Sequence, residues 1–184
     1  MSPYGRTTAR SCPAKTCFHR EIPMPNTEKA ELIKLLDENR AQTLAVFEEV
    51  DGATVIYPDG NWTLKDVIVH LTVWEEEGVN ALLGIAEEKP YPPPVTSQEE
   101  LEAFNNRQVQ QRRHLSLEQA YSDFQSTRNR LKALLNDLSA EDFSQSFAFP
   151  WYGEGTVSDM LHGLVQHEQR HVRHVQQPEK RRKR

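Results

Sequence analysis

Apolar residues recur at helical spacing four times along the middle of the chain, and turn chemistry separates the repeats. Over residues 27–50 the apolar positions are Ile33, Leu36, Leu44, Phe47 and Val50, with Arg40 and Thr43 reading as polar interruptions. Pro23, Pro25 and Asn26 punctuate the entry, Thr27 is placed to cap, and Glu28 and Glu31 suit a first turn. Asp51-Gly52 and Tyr57-Pro58-Asp59-Gly60-Asn61 break the pattern. Thr63 with Asp66 then forms a capping box for a helix running to about residue 87, whose inward face reads Val67, His70/Leu71, Trp74, Gly78 and Leu82. Prolines 90, 92, 93 and 94 forbid its continuation.

Ser97 with Glu100 offers another capping box, for a shorter helix over about 98–113 carrying Leu101, Phe104 and Val109. Ser116 with Gln119 opens the next long helix, about 117–138, with Tyr121, Phe124, Leu131, Leu134/Leu135 and Leu138 on one face. A short helical turn is expected at Ser139–Phe143, then an aromatic, glycine-bearing loop over 147–155. Thr156 with Asp159 caps a last helix facing inward through Val157, Leu161, Leu164, His167, His171 and His174/Val175. Nothing reads as a strand. The pattern predicts an all-α fold, a four-helix bundle with an extra short helix between helices 2 and 3.

Composition divides the chain in three. Of 184 residues, 37% are hydrophobic, and polar ends lower that figure. Residues 1–23 read as a disordered N-terminal extension, or as a start assigned ahead of Met24, and residues 178–184 as a basic, solvated, disordered tail. The bundle between them, residues 24–177, has 13 basic and 25 acidic residues, a net charge of −12. An acidic body argues against a nucleic-acid groove, although Lys180-Arg181-Arg182-Lys183-Arg184 would attract polyanions. No apolar run reaches the roughly 18–20 residues that span a membrane. Cys12 and Cys17 both lie in the extension, which fits a reducing cytoplasm and excludes a disulfide scaffold.

The candidate chemistry is in the histidines. His167 and His171 are four apart, so their imidazoles share a helix face. The string His167-Glu168-Gln169-Arg170-His171 matches the HExxH pattern of zinc proteases, but only thirteen residues remain for a downstream third ligand. Glu168-x-x-His171 lacks the second motif that a di-iron bundle needs. His70, inward on its own helix, supplies the third ligand if the two helices are antiparallel neighbours. Three histidines with an open position suit Zn, Ni or Fe as a divalent metal. Each histidine alone is more simply an interior residue satisfied by hydrogen bonds; the coincidence of three favours the metal. His174 is the substitute for His171. Glu168 reads as a solvated neighbour, and Trp74, Trp151 and Tyr152 as walls of a substrate pocket, with packing over the bundle's end as the loop's other role.

The stretch Trp62-Thr63, followed by His70 eight residues after the Trp, resembles the second-helix signature of the DinB-like superfamily, and His167-x-x-x-His171 resembles its fourth-helix ligand pair. Trp74-Glu75, Phe104-Asn105 and Leu134-x-x-x-Leu138-Ser139-x-Glu141-Asp142 are similar to the ClbS/DfsB branch. The resemblance covers about residues 24–176. It implies a four-helix bundle, a three-histidine divalent-metal site formed by His70, His167 and His171, and frequently a homodimer. It also implies hydrolase or thiol-transferase chemistry on a small electrophile, with a low-molecular-weight thiol among the cosubstrates. The alternative expectation is a non-catalytic bundle that sequesters a ligand or toxin.

Overall fold

The computed structural model describes residues 25–89 and 91–177. The expected extension and basic tail lie outside the described residues. Four long helices build the bundle: α1 (Pro25–Phe47), α2 (Leu64–Ala86), α4 (Leu117–Asp137) and α6 (Val157–Val175). The short α3 (Gln98–Arg112) lies between the second and third of these, as expected, and α5 (Ala140–Ser144) is the expected helical turn. Around the bundle α1 packs on α6, α6 on α2, α2 on α4 and α4 on α1. Thus α2 and α6, which carry the candidate ligands, are neighbours.

Capping fixes where most helices start. Thr63 and Thr156 each accept from the backbone N–H three residues on, and Asp66 and Asp159 reach back to complete both boxes. Ser116 and Ser139 cap α4 and α5 by the same N-terminal contact. Two starts differ from expectation. Helix α1 begins at Pro25, whose fixed φ suits a first turn, so Thr27 lies inside the helix. Ser97 makes no side-chain cap on α3; Glu100 instead accepts from the N–H and hydroxyl of Thr96.

Short strands also appear where none was expected. β1 (Val55–Tyr57) pairs antiparallel with β2 (Trp62–Thr63), and β3 (Phe147–Ala148) with β4 (Glu154–Gly155). Each is two or three residues long, too short to show period-2 alternation, so the turn signal was legible and the ladder was not.

The core has two apolar clusters. One holds Phe47, Ile56, Leu64, Val67, Ile68 and Phe124 among others; the second holds Leu36, Trp74, Leu82, Leu131, Leu135 and Leu161 among others. Between them lies a layer of charge. Arg40 of α1, Glu75 of α2, Arg128 of α4 and Glu168 of α6 meet in a closed network, one residue from each long helix. Arg40 donates to Glu75 at 2.8 Å and to Glu168 at 3.1 Å; Arg128 donates to Glu75 and Glu168, both at 2.6 Å. The arginines also donate to the carbonyls of Phe124 and Leu36, and the Arg40 guanidinium lies 3.2 Å from the Phe124 ring centroid. Arg128 and Glu168 are each only 2% exposed.

This corrects the reading of α1, whose inward stripe is Leu32, Leu36, Asn39, Arg40, Thr43 and Phe47, while Ile33 and Leu44 are half-buried. The polar residues there are interior, because partners from three other helices satisfy Arg40. Two positive and two negative groups cancel, which makes burial of four charges tolerable. Removing one member takes away half the partners of two others and leaves a net charge buried in the layer. Replacement of Arg128 by Met is expected to cost about 3–5 kcal/mol, read from the urea-unfolding free energy; a loss under about 1 kcal/mol would show that the layer does not hold the bundle.

Candidate metal centre

Helix periodicity brings the three histidines together. On α6, His167 and His171 stack one turn apart, and α2 runs antiparallel alongside, with Gly78 closely approached by Leu164 further down. A Cβ on Gly78 would meet Leu164 Cδ1 at 3.1 Å, so its small size sets how near the two helices come. His70, near the start of α2, therefore faces the late turns of α6.

The nitrogens converge. His70 Nε2 and His171 Nε2 each lie 3.0 Å from His167 Nε2, and one ligand atom from each of the three residues falls within a 4.8 Å cluster. Two nitrogens on a tetrahedral zinc at about 2.05 Å would be about 3.3 Å apart. The spacing is close to that of a ligand set, and without a proton or a cation between them the facing lone pairs would repel. Among the described residues no carboxylate joins the cluster.

Burial keeps the imidazoles neutral, the form that binds metal. It pushes His70 and His171 well below the usual histidine range, and the neighbouring histidines push further the same way. His167 is pushed down to about 4, by burial first and then by the Arg170 charge. His70 and His171 are buried, while His167 is half-buried and the most accessible of the three.

The β1–β2 hairpin holds two of these rings. Tyr57 and Trp62 are cross-strand partners. The Trp62 ring lies 5.1 Å from His70, and the Tyr57 hydroxyl is 2.8 Å from His171 Nδ1. The phenol oxygen can accept the Nδ1 proton, which leaves the Nε2 lone pair of His171 for a metal. Tyr57 escaped the sequence reading: one aromatic residue before Pro58 looks like turn punctuation, and only the hairpin carries it onto α6.

His174 lies outside the cluster, its ring tilted on Tyr57 at 4.9 Å. Glu168, expected to be solvated, is buried in the ionic layer. Burial pushes its carboxyl up, but Arg40 and Arg128 overcome this and hold it below the usual range. An ionised carboxylate bonded to two guanidiniums is not a general base, which removes the protease reading of HExxH on physical grounds.

The proposed pocket residues fall on two sides. Trp74, one turn along α2 from His70, is buried and donates to Asn105 Oδ1 at 3.0 Å. Trp151 packs edge-on to it at 6.1 Å and covers Gly163, one turn before His167. Tyr152 is 44% exposed, with its hydroxyl on Gln98 of α3.

A sequence model of the DinB superfamily matches residues 35–175. No curated protein matches the sequence. Among solved structures, the fold is similar to an uncharacterised protein from Escherichia coli UTI89, at a TM-score of 0.66 and 18% identity over 83% of this chain and 92% of that one. YfiT from Bacillus subtilis, described as a probable metal-dependent hydrolase with an unusual four-helix bundle topology, is similar at a TM-score of 0.60 and 20% identity, covering 96% of this chain and 94% of that one. A mycothiol-dependent maleylpyruvate isomerase is similar at a TM-score of 0.66 and 14% identity over 80% of this chain, which spans 60% of the isomerase. At these identities the likeness shows a shared fold.

Metal content after exhaustive dialysis tests the triad. His70→Ala is expected to lose stoichiometric zinc, nickel or iron, and His174→Ala to keep it. Tyr57→Phe should retain the site with affinity about 10–100-fold lower. Full metal retention by His70→Ala would refute the three-histidine set.

Proposed function

The chain belongs to the DinB superfamily, and from that premise we propose that its histidine triad is a divalent-metal site serving chemistry on a small electrophilic substrate. The observation that carries this reading is the convergence of three neutral imidazoles, joined by no carboxylate of the described residues. A bound Zn, Ni or Fe ion would act as a Lewis acid, lowering the pKa of a thiol or water presented to it.

The protein's own residues divide the remaining work. His70, His167 and His171 hold the ion; Tyr57 selects the tautomer of His171; Trp62 covers His70. Arg40 and Arg128 keep Glu168 ionised and out of proton transfer. With no carboxylate at the cluster among the described residues, the nucleophile is activated by its own lowered pKa. That suits a low-molecular-weight thiol in a transfer, or water in a hydrolysis. Two proteins of similar fold carry matching descriptions, one a probable metal-dependent hydrolase and the other a mycothiol-dependent isomerase.

We place the chain in the ClbS/DfsB-type branch, as a cytoplasmic homodimer. Two of the residues that resemble that branch, Trp74 and Asn105, are hydrogen-bonded to each other, which supports the placement. Trp74, Trp151 and Tyr152 remain the proposed lining on the substrate side.

The test is a panel of electrophiles with and without thiols, run on metal-stripped protein and on protein reloaded with each of the three metals. Turnover is expected only after reloading, and His171→Ala should abolish it. Stoichiometric protection without turnover would favour the sequestering role. Equal turnover by the stripped protein would end the metal reading.

A further inference from the structure

The hairpin closes the triad on two sides and leaves the third. Tyr57 sits on His171 and Trp62 on His70, and both of those ligands are buried. His167 is the more exposed ligand, so the approach from solvent is along its side of α6. The next turn of the helix on that side presents Arg170, three residues and about 4.5 Å of rise beyond His167.

Arg170 is exposed and makes no ion pair among the described residues. The carboxylates that flank the three histidines in the chain are committed elsewhere. Glu75 and Glu168 are held by Arg40 and Arg128, and Asp66 by the Thr63 cap. In a body with a net charge of −12, the open side of the triad thus carries an unneutralised cation. Three neutral imidazoles would add nothing to offset a divalent ion, so the local charge is positive on both counts.

From this we infer that the small molecule entering beside His167 carries an anionic group, a carboxylate or a phosphate, and that Arg170 selects for it. The inference rests on the metal reading above. It adds that charge at a second point of the ligand sets specificity. An arginine fork suits this role because it pairs with two oxygens of one oxyanion. The anion's other end, a thiol in the simplest case, then reaches the triad. The acidic body repels such molecules elsewhere and confines them to this opening.

Cobalt-loaded protein and three small thiols of similar length test the inference by visible absorption: 3-mercaptopropionate, 2-mercaptoethanol and cysteamine. The anionic thiol is expected to bind about tenfold tighter than the neutral one, the size of one partly exposed charge-assisted contact. Arg170→Gln should erase that preference, and Arg170→Glu should turn it toward cysteamine. Equal affinity of the three thiols for the wild-type protein, or a preference unchanged in Arg170→Gln, would overturn the inference and leave the metal reading standing. Absence of any cobalt spectrum in the wild-type protein would overturn both.

Discussion

The structure depends on the closed network of Arg40, Glu75, Arg128 and Glu168. Each long helix contributes one member, so the network joins all four at one level of the bundle. Apolar packing alone tolerates some sliding of one helix against another, since leucines can exchange neighbours. Paired charges cannot slide. A shift of one turn on any helix would leave a buried ion without its partner, a penalty of several kcal/mol. The layer therefore sets the register of α1, α2, α4 and α6 together. The apolar clusters on its two sides contribute the bulk of the burial.

That register is what makes the histidine cluster. Glu168 follows His167 in the chain, and Glu75 lies five residues after His70. Locking the two carboxylates to the same pair of arginines fixes how far α2 and α6 are displaced along each other. Three-ångström convergence of nitrogens from two helices follows from that lock, together with the close approach at Gly78. The hairpin is a second, lighter constraint. It adds ring contacts from Tyr57 and Trp62 and leaves helix positions alone.

Much of this was legible in the chain. The capping boxes at Thr63 and Thr156 marked helix starts to the residue, and the i, i+4 spacing of His167 and His171 marked a shared face. His70 was found because it fell on the inward stripe with Val67 and Trp74. The ionic layer was not found, for a definite reason. Periodicity assigns a charged residue to the surface, and each of these four fits a polar break in an apolar stripe. A signal was present: Arg40, Glu75, Arg128 and Glu168 each stand four residues after an apolar residue that proves buried, namely Leu36, Leu71, Phe124 and Leu164. Two were positive and two negative. Only the assembled bundle shows that they face one another, as only the folded hairpin shows Tyr57 reaching His171.

The HExxH string shows how far such a motif is from a mechanism. Its five residues occupy helix positions that would serve a zinc protease, and its two histidines do face the cluster. Successive helical residues are rotated by about 100°, however, so Glu168 leaves the histidine face as soon as it follows His167. What it then meets decides its role. Had that direction led to solvent beside the cluster, the carboxylate would have been placed to take a proton. Here it leads to the bundle axis, where Arg40 and Arg128 bind both of its oxygens. The glutamate that would supply the chemistry in a protease instead fixes the helix that carries two of the candidate ligands, and among the described residues no carboxylate joins the three imidazoles. The same five-residue string thus serves packing at Glu168 and a candidate metal centre at His167 and His171, and only the direction of each side chain separates the two roles.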